Sequence, residues 1–215
     1  MIVITGASDG LGLQVAKLYK EAGKTVVNVS RRECKYADVN ICLSLSEGAE
    51  IEKAAEKILE LREPLEVLVN CIGVFNNQKF GEITEEEIKR LMSTNVKAPA
   101  LLSSLLIDRI RNDQTDILNV LSTAAVRFKA TEPLYVASKW AARGFTLSLQ
   151  DELRHTKSRV ISFCPGGMQT NFFEKAEVDN DTSVFMDPVD IAKTIKYILD
   201  LPKNIEVSEI ILNRK

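Results

Sequence analysis

Histidine is almost absent from this chain: His155 is the only one in 215 residues. That scarcity argues against Ser-His-Asp chemistry, which needs an imidazole base. The four cysteines, Cys34, Cys42, Cys71 and Cys164, form no C-x-x-C pair, so an ordinary Cys/His zinc site is not expected either. His155 stands beside Arg154 and Lys157 at the end of a helix-compatible run, where basic residues are commonplace. No apolar run approaches ~18 residues, and no membrane span is expected. Net charge is −2 and no block of basic residues occurs, so nothing here has the electrostatic footprint of a nucleic-acid binder. No signal-peptide pattern precedes Ile2-Val3-Ile4. Cys42, Cys71 and Cys164 lie in or beside apolar runs, which favours buried, reduced thiols and a cytoplasmic compartment. Internal repeats, low-complexity tracts and interdomain linkers are also missing, so residues 1–215 read as one domain.

What is present is an alternation. Apolar runs read as strands at Ile2–Thr5, Thr25–Ser30, Ile41–Leu43, Leu65–Asn70, Asp116–Ser122, Arg159–Cys164 and Ser208–Leu212. Helical patterns lie between them, including Leu13–Ala22 and Leu134–His155. Thr84 with Glu87 forms a capping box that opens a long helix toward Asn112, kinked near Pro99. Asp187 before Pro188 opens another, to about Asp200. Several strands are apolar throughout, as happens when both faces of a sheet are covered. The expected fold is α/β: a single Rossmann-type, doubly wound parallel sheet with helices on both faces.

Two stretches carry chemistry. Thr5-Gly6-Ala7-Ser8-Asp9-Gly10-Leu11-Gly12 lies between a strand and a helix, the layout that presents N-terminal amides to a pyrophosphate. Tyr135 and Lys139 are spaced i, i+4 on a helix and face the same space, and an ammonium beside a phenol pulls its pKa toward the working pH. Taken singly, each has a plain alternative: a tight turn, or two residues at helical spacing by chance.

With Asn70-Cys71-Ile72-Gly73, Asn95, Ser122 and Pro165-Gly166, in that order, these residues resemble the short-chain dehydrogenase/reductase family from Met1 to about Thr170. The resemblance implies an oxidoreductase that interconverts a carbonyl and an alcohol. Tyr135 would move the proton, Ser122 would steady the oxygen, Lys139 would lower the Tyr135 pKa and bond the nicotinamide ribose, and Asn95 would hold a water in a kinked helix. It also implies a cofactor site built from Gly6, Ser8, Asp9, Gly10, Leu11, Gly12, Asn70, Gly73, Pro165, Gly166, Met168 and Thr170. At the end of the second strand an NAD-preferring site carries an acid. Here Ser30 is followed by Arg31 and Arg32, which suit a 2′-phosphate, so NADP(H) is expected over NAD(H). Two positions depart from the family pattern: Ser44 stands where an Asp often meets the adenine, and Cys71-Ile72 replaces Asn-Ala.

The family's substrate loop falls at residues 171–187. Phe172, Phe173, Phe185 and Met186, with Phe75, form either an apolar wall for a small or medium-sized substrate or an anchor to the core. A homodimer is expected through the two long helices, with Leu101, Leu102, Leu105, Leu106, Trp140, Phe145 and Leu149 as the apolar excess. The chain stops at Lys215 without a tail for a second contact, which favours dimer over tetramer. The rival from another class is a nucleotide-binding sensor of the same fold that performs no turnover.

Overall fold

The computed structural model describes residues 1–176 and 181–215. Part of the 171–187 loop, residues 177–180, therefore lies outside the described residues. Seven strands form one parallel sheet: β1 (Ile2–Thr5), β2 (Val26–Ser30), β3 (Val39–Cys42), β4 (Val67–Asn70), β5 (Asp116–Val120), β6 (Val160–Pro165) and β7 (Glu209–Leu212). Their order is β3-β2-β1-β4-β5-β6-β7. The chain runs outward from β1 to β3, then returns to the other side of β1 with β4. Thr5 and Asn70 are register partners at that reversal, and the crevice above it is where open α/β sheets bind ligands.

Alternation along the strands fills two cores. Val3, Val27, Val29, Leu68 and Ile117 face one layer, which holds α2 (Gly48–Glu60), α4 (Ala98–Leu105), α5 (Ile107–Asp113) and α6 (Pro133–Leu153). Ile2, Ile4, Val67, Val69, Leu118 and Phe163 face the other, which holds α1 (Gly10–Glu21) and α7 (Pro188–Leu199). Burial on both faces explains why the strands read as continuous apolar runs.

The long helix expected from Glu85 toward Asn112 is not continuous. It is divided into α3 (Glu85–Met92), a π-helical turn at Ser93–Lys97, and then α4 and α5. The Ala98 N–H reaches back to the Ser93 carbonyl, five residues away. Pro99 has no N–H to return to the Asn95 carbonyl, so the ordinary ladder cannot continue there. Thr84 caps α3 as expected, accepting the Glu87 N–H at 3.3 Å. The reciprocal half of the capping box is absent, because the Glu87 carboxylate turns to Arg90 and to Asn76, the latter at 2.8 Å. The Asp187 cap holds, accepting the Val189 N–H at 2.8 Å.

Two other expectations are corrected. Cys42 is exposed and Cys34 is buried; Cys42 lies on the sheet-edge strand β3, where alternate side chains face outward. Leu102, Leu106 and Leu149, taken as surface excess, are buried in the core against the sheet. What α4 and α6 leave outside is Leu105, 40 % exposed, Trp140, 45 %, and Leu147, 39 %.

Candidate active site

The site is built at the C-terminal ends of the strands. Gly6 adopts φ +75°, a conformation a side chain rarely allows. A Cβ on Gly12 would lie 2.5 Å from the Gly6 carbonyl, so this helix start can sit against the turn only as glycine. Leu11 is buried in the core and can offer only backbone to the groove. The Thr5 hydroxyl accepts the N–H groups of Cys71 at 3.1 Å and Ile72 at 3.2 Å, which joins the β1 and β4 ends across the switch point.

Asp9 caps α1, accepting the Gly10 N–H at 2.7 Å. Its other carboxylate oxygen pairs with Arg32 at 3.1 Å and with Lys175. Burial acts to raise this carboxyl, but Lys175, the Gly10 amide and Arg32 together hold it below its ordinary value. Ser30 is buried and bonds the Arg32 carbonyl at 2.7 Å, while Arg31 is exposed beside it. The Ser44 hydroxyl is engaged with Ser46 at 3.0 Å.

The π-turn brings Asn95 inside. Its side chain takes both polar groups of Val74, at 2.8 and 2.9 Å, and donates to Ser138 at 3.0 Å. Ser138 in turn bonds the Tyr135 carbonyl at 2.8 Å. One asparagine thus ties the loop after β4 to the first turn of α6. Gly73 lies between them: a Cβ there would come 3.6 Å from both Asn95 Oδ1 and Lys139 Nζ.

Ser122 follows β5 and caps the short 3-10 turn Thr123–Ala125, accepting the Ala124 N–H at 3.1 Å. Its hydroxyl proton remains to be donated. Tyr135 is buried, and burial raises its phenol above the ordinary value; the Ser122 hydroxyl opposes that rise and Glu132 adds to it. Burial pushes the Lys139 ammonium the other way, down to about 8. Lys139 donates to the Val120 carbonyl at 3.3 Å and lies 5.8 Å from the centre of the Tyr135 ring. The expected lowering of the Tyr135 pKa by Lys139 is not what dominates: desolvation of both groups outweighs their proximity.

An aromatic cluster covers the phenol. Phe75 meets Tyr135 edge to face at 4.8 Å, Phe173 meets Phe75 at 5.1 Å, and Phe172 lies 6.4 Å from Tyr135. Phe185 joins through Phe173 at 5.6 Å. Met186 does not; it pairs with Met168 and packs toward the α1 and α7 layer. The Gly166 N–H is taken by the Leu212 carbonyl at 2.8 Å, so β7 fixes the Pro165-Gly166 bend. Thr170 approaches Gly10: a Cβ on that glycine would lie 3.5 Å from the Thr170 methyl.

The fold gathers Asn95, Ser122, Tyr135, Lys139 and Gly73 at one end of the crevice. At the other, contacts join Gly6 with Gly12, Asp9 with Gly10 and Arg32, and Ser30 with Arg32. Asn70 is different. Its side chain points inward, donating to Asn119 at 2.8 Å, and Asn119 donates to Thr146 at 2.9 Å. This buried chain was not legible in the sequence, although Thr146 does stand seven residues after Lys139 on the same helical face. Beside it a cavity of ≈ 10 Å³, lined by Asn70, Asn95, Pro99, Asn119 and Thr146, is about the size of one water. Lys175 was also missed.

The residues fit a dinucleotide. The glycine cradle has no room for side chains at Gly12, α1 presents its N-terminus, and no acid occupies the Ser30 position. A family model described as short chain dehydrogenase matches residues 1–181. An uncharacterised oxidoreductase of Staphylococcus saprophyticus is 27% identical over 222 residues, spanning 97% of this chain and 94% of its own. The crystal structure of a short-chain dehydrogenase/reductase from Vibrio parahaemolyticus superposes with TM-score 0.86 at 29% identity, covering 100% of both chains. A metagenomic short-chain oxidoreductase in complex with NADP superposes with TM-score 0.83 at 26% identity, covering 98% of this chain and 95% of that one. Among the described residues, no helix is long and apolar enough to cross a membrane, and no cluster of potential metal ligands occurs.

Proposed function

The chain belongs to the short-chain dehydrogenase family, and from that premise we propose that it is an NADP(H)-dependent oxidoreductase interconverting a carbonyl and an alcohol on a small or medium-sized apolar substrate. One observation carries the reading: Lys139 and Asn95 converge on Gly73 beside the switch point of the sheet, and the Tyr135 ring lies 5.8 Å from the Lys139 ammonium with the Ser122 hydroxyl bonded to its phenol. A bound nicotinamide dinucleotide supplies or accepts the hydride. The chain supplies position and the proton. Tyr135 gives its phenolic proton to the substrate oxygen, and Ser122 donates a hydrogen bond to that oxygen. Lys139 would bond the ribose of a bound cofactor, and Asn95 holds the Val74 backbone and the start of α6 in register.

Burial that raises the Tyr135 phenol keeps it protonated at neutral pH. We read reduction as the working direction, with the protonated phenol as the proton donor. The wall around it is Phe75, Phe172 and Phe173, and the nearby Glu132 is paired with Lys129 at 3.2 Å. That lining suits a neutral aldehyde or ketone with an apolar or aromatic substituent. Arg31 and Arg32 support NADP(H), as does the NADP-bound relative.

We also read the protein as a cytoplasmic homodimer in which cofactor and substrate share one unit. Four free cysteines suit a reducing compartment. Trp140 and Leu147 lie i, i+7 on one stripe of α6, and with Leu105 of α4 they offer the apolar surface for pairing. A monomer mass in light scattering at micromolar concentration counts against the dimer.

The test of function is oxidation of NADPH at 340 nm with a panel of ketones, aldehydes and quinones. Steady turnover with apolar members is expected. Tight NADPH binding with no turnover across the panel identifies a sensor instead.

A further inference from the structure

Lys175 belongs to no motif, yet it joins the two ends of the crevice. It stands on the 3-10 turn Glu174–Ala176, directly after the residues that carry Phe172 and Phe173 over Tyr135. Its ammonium bonds the Asp9 carboxylate, 166 residues away in sequence. Arg32 bonds the same oxygen at 3.1 Å, and the Gly10 N–H bonds the other at 2.7 Å. One acid at the N-terminus of α1 therefore carries two cations, each from a different segment.

We propose that Lys175 is a cofactor-phosphate ligand carried by the substrate segment, with Asp9 as the partner it exchanges for phosphate. The inference rests on the NADP(H) reading above. A pyrophosphate directed to the α1 amides brings its charge beside the Asp9 carboxylate, and like charges at that distance oppose binding. Two cations on Asp9 offset the conflict. Lysine suits the exchange, because a compact ammonium on a flexible four-carbon stem can turn from carboxylate to phosphate without moving its backbone. The Lys175 side chain is 50% exposed, so packing does not hold it in place.

The aromatic end of the same segment is held differently. Phe172 and Phe173 pack against each other at 5.7 Å and against Phe75 and Tyr135. Phosphate binding at Lys175 and coverage of the reacting centre are thus properties of one short stretch of chain. Cofactor affinity and closure over Tyr135 become linked, and the linkage runs both ways. A segment carrying phenylalanines alone would cover the substrate without sensing the cofactor.

The experiment measures NADPH dissociation constants by fluorescence at two salt concentrations. It compares the full-length parent with Lys175→Ala, Lys175→Arg and Asp9→Asn. Lys175→Ala is expected to bind about tenfold more weakly, as the loss of one charge-assisted contact implies, with a shallower salt dependence. Lys175→Arg is expected to stay within about threefold of the parent. Asp9→Asn keeps a capping oxygen but removes the charge, and is expected to bind NADPH more tightly. A second readout is chymotryptic cleavage after Phe172 and Phe173. NADPH is expected to protect these bonds in the parent and to lose that effect in Lys175→Ala. Parent-like affinity in Lys175→Ala, or weaker binding in Asp9→Asn, overturns the inference and leaves the cofactor reading standing. A parent chain that binds neither NADPH nor NADH overturns the cofactor reading itself, and this inference with it.

Discussion

Two buried cations, Arg159 and Lys139, sit at opposite strand ends of the same sheet and are treated in opposite ways. Arg159 lies where β6 begins. Its guanidinium grips Asp116 through two nitrogens, at 3.2 and 2.7 Å, and donates to the carbonyls of Leu199, Leu201, Pro202 and Ile205. Lys203 adds a second cation to Asp116 at 2.7 Å. Lys139 lies beneath the strand ends that form the crevice. Its one hydrogen bond among the described residues is to the Val120 carbonyl, at 3.3 Å. A fully bonded buried charge is structural, tying the segment after α7 to the sheet. An under-bonded one is held at an energetic cost, with donor capacity left for something else.

The comparison breaks or sharpens under substitution. The largest effect is expected beside Lys139. Tyr135→Phe keeps the ring in the aromatic cluster but removes the proton, so kcat should fall by about 10²–10⁴ while NADPH affinity changes little. Turnover within a few-fold of the parent would mean that another group moves the proton.

At the other end of the strands, Arg159→Met leaves Asp116 buried beside a single lysine. Urea unfolding should show a loss of about 3–5 kcal/mol, the cost of breaking a buried pair. A loss below ~1 kcal/mol would erase the contrast, because it is the size expected of an exposed pair.

Lys139→Met should do the reverse, abolishing turnover yet stabilising the fold. The folded ammonium titrates near 8 and the free side chain near 10.5. Below pH 8 both states are protonated, and the burial penalty is felt in full. Between these values the unfolded chain binds more protons, so this lysine's contribution to stability improves as pH rises. At neutral pH the variant should gain on the order of 3 kcal/mol. The gain should shrink as pH rises from 8 toward 10.5. A variant less stable than the parent at pH 7 would show that Lys139 is better compensated than its single carbonyl bond implies.

The smallest effect is expected at the solvent-facing cations. Arg32 is already shared with Asp9, and its side chain is 63% exposed. Combined Arg31→Ala and Arg32→Ala should therefore cost about tenfold in NADPH-over-NADH preference, or ~1.4 kcal/mol. Equal affinities for the two cofactors in the parent would reduce these arginines to surface charges.

Legibility followed the range of the interactions. The strand cores, the glycine turn, the Asp187 cap and the Tyr135/Lys139 spacing are local, and each was readable from neighbours within a few residues. The order of the motifs was enough to indicate the family. The interrupted helix was half legible: Pro99 marked where the ladder fails, but not that the result would be a π-turn delivering Asn95 to Val74 and Ser138. Leu102, Leu106 and Leu149 were misplaced because a helical stripe can face a sheet or a partner, and only packing chooses between them.

By itself the sequence determined the doubly wound sheet, through the alternation of runs buried on both faces, and the facing of Tyr135 and Lys139, through helical spacing. Tertiary structure alone decided which charges are satisfied. Arg159 with Asp116, Asn70 with Asn119 and Thr146, and Lys175 with Asp9 join residues 27 to 166 positions apart. No local preference encodes such pairings. They exist because parallel strands and their crossovers bring distant positions to the same edge, where desolvation then sets the protonation of Tyr135 and Lys139.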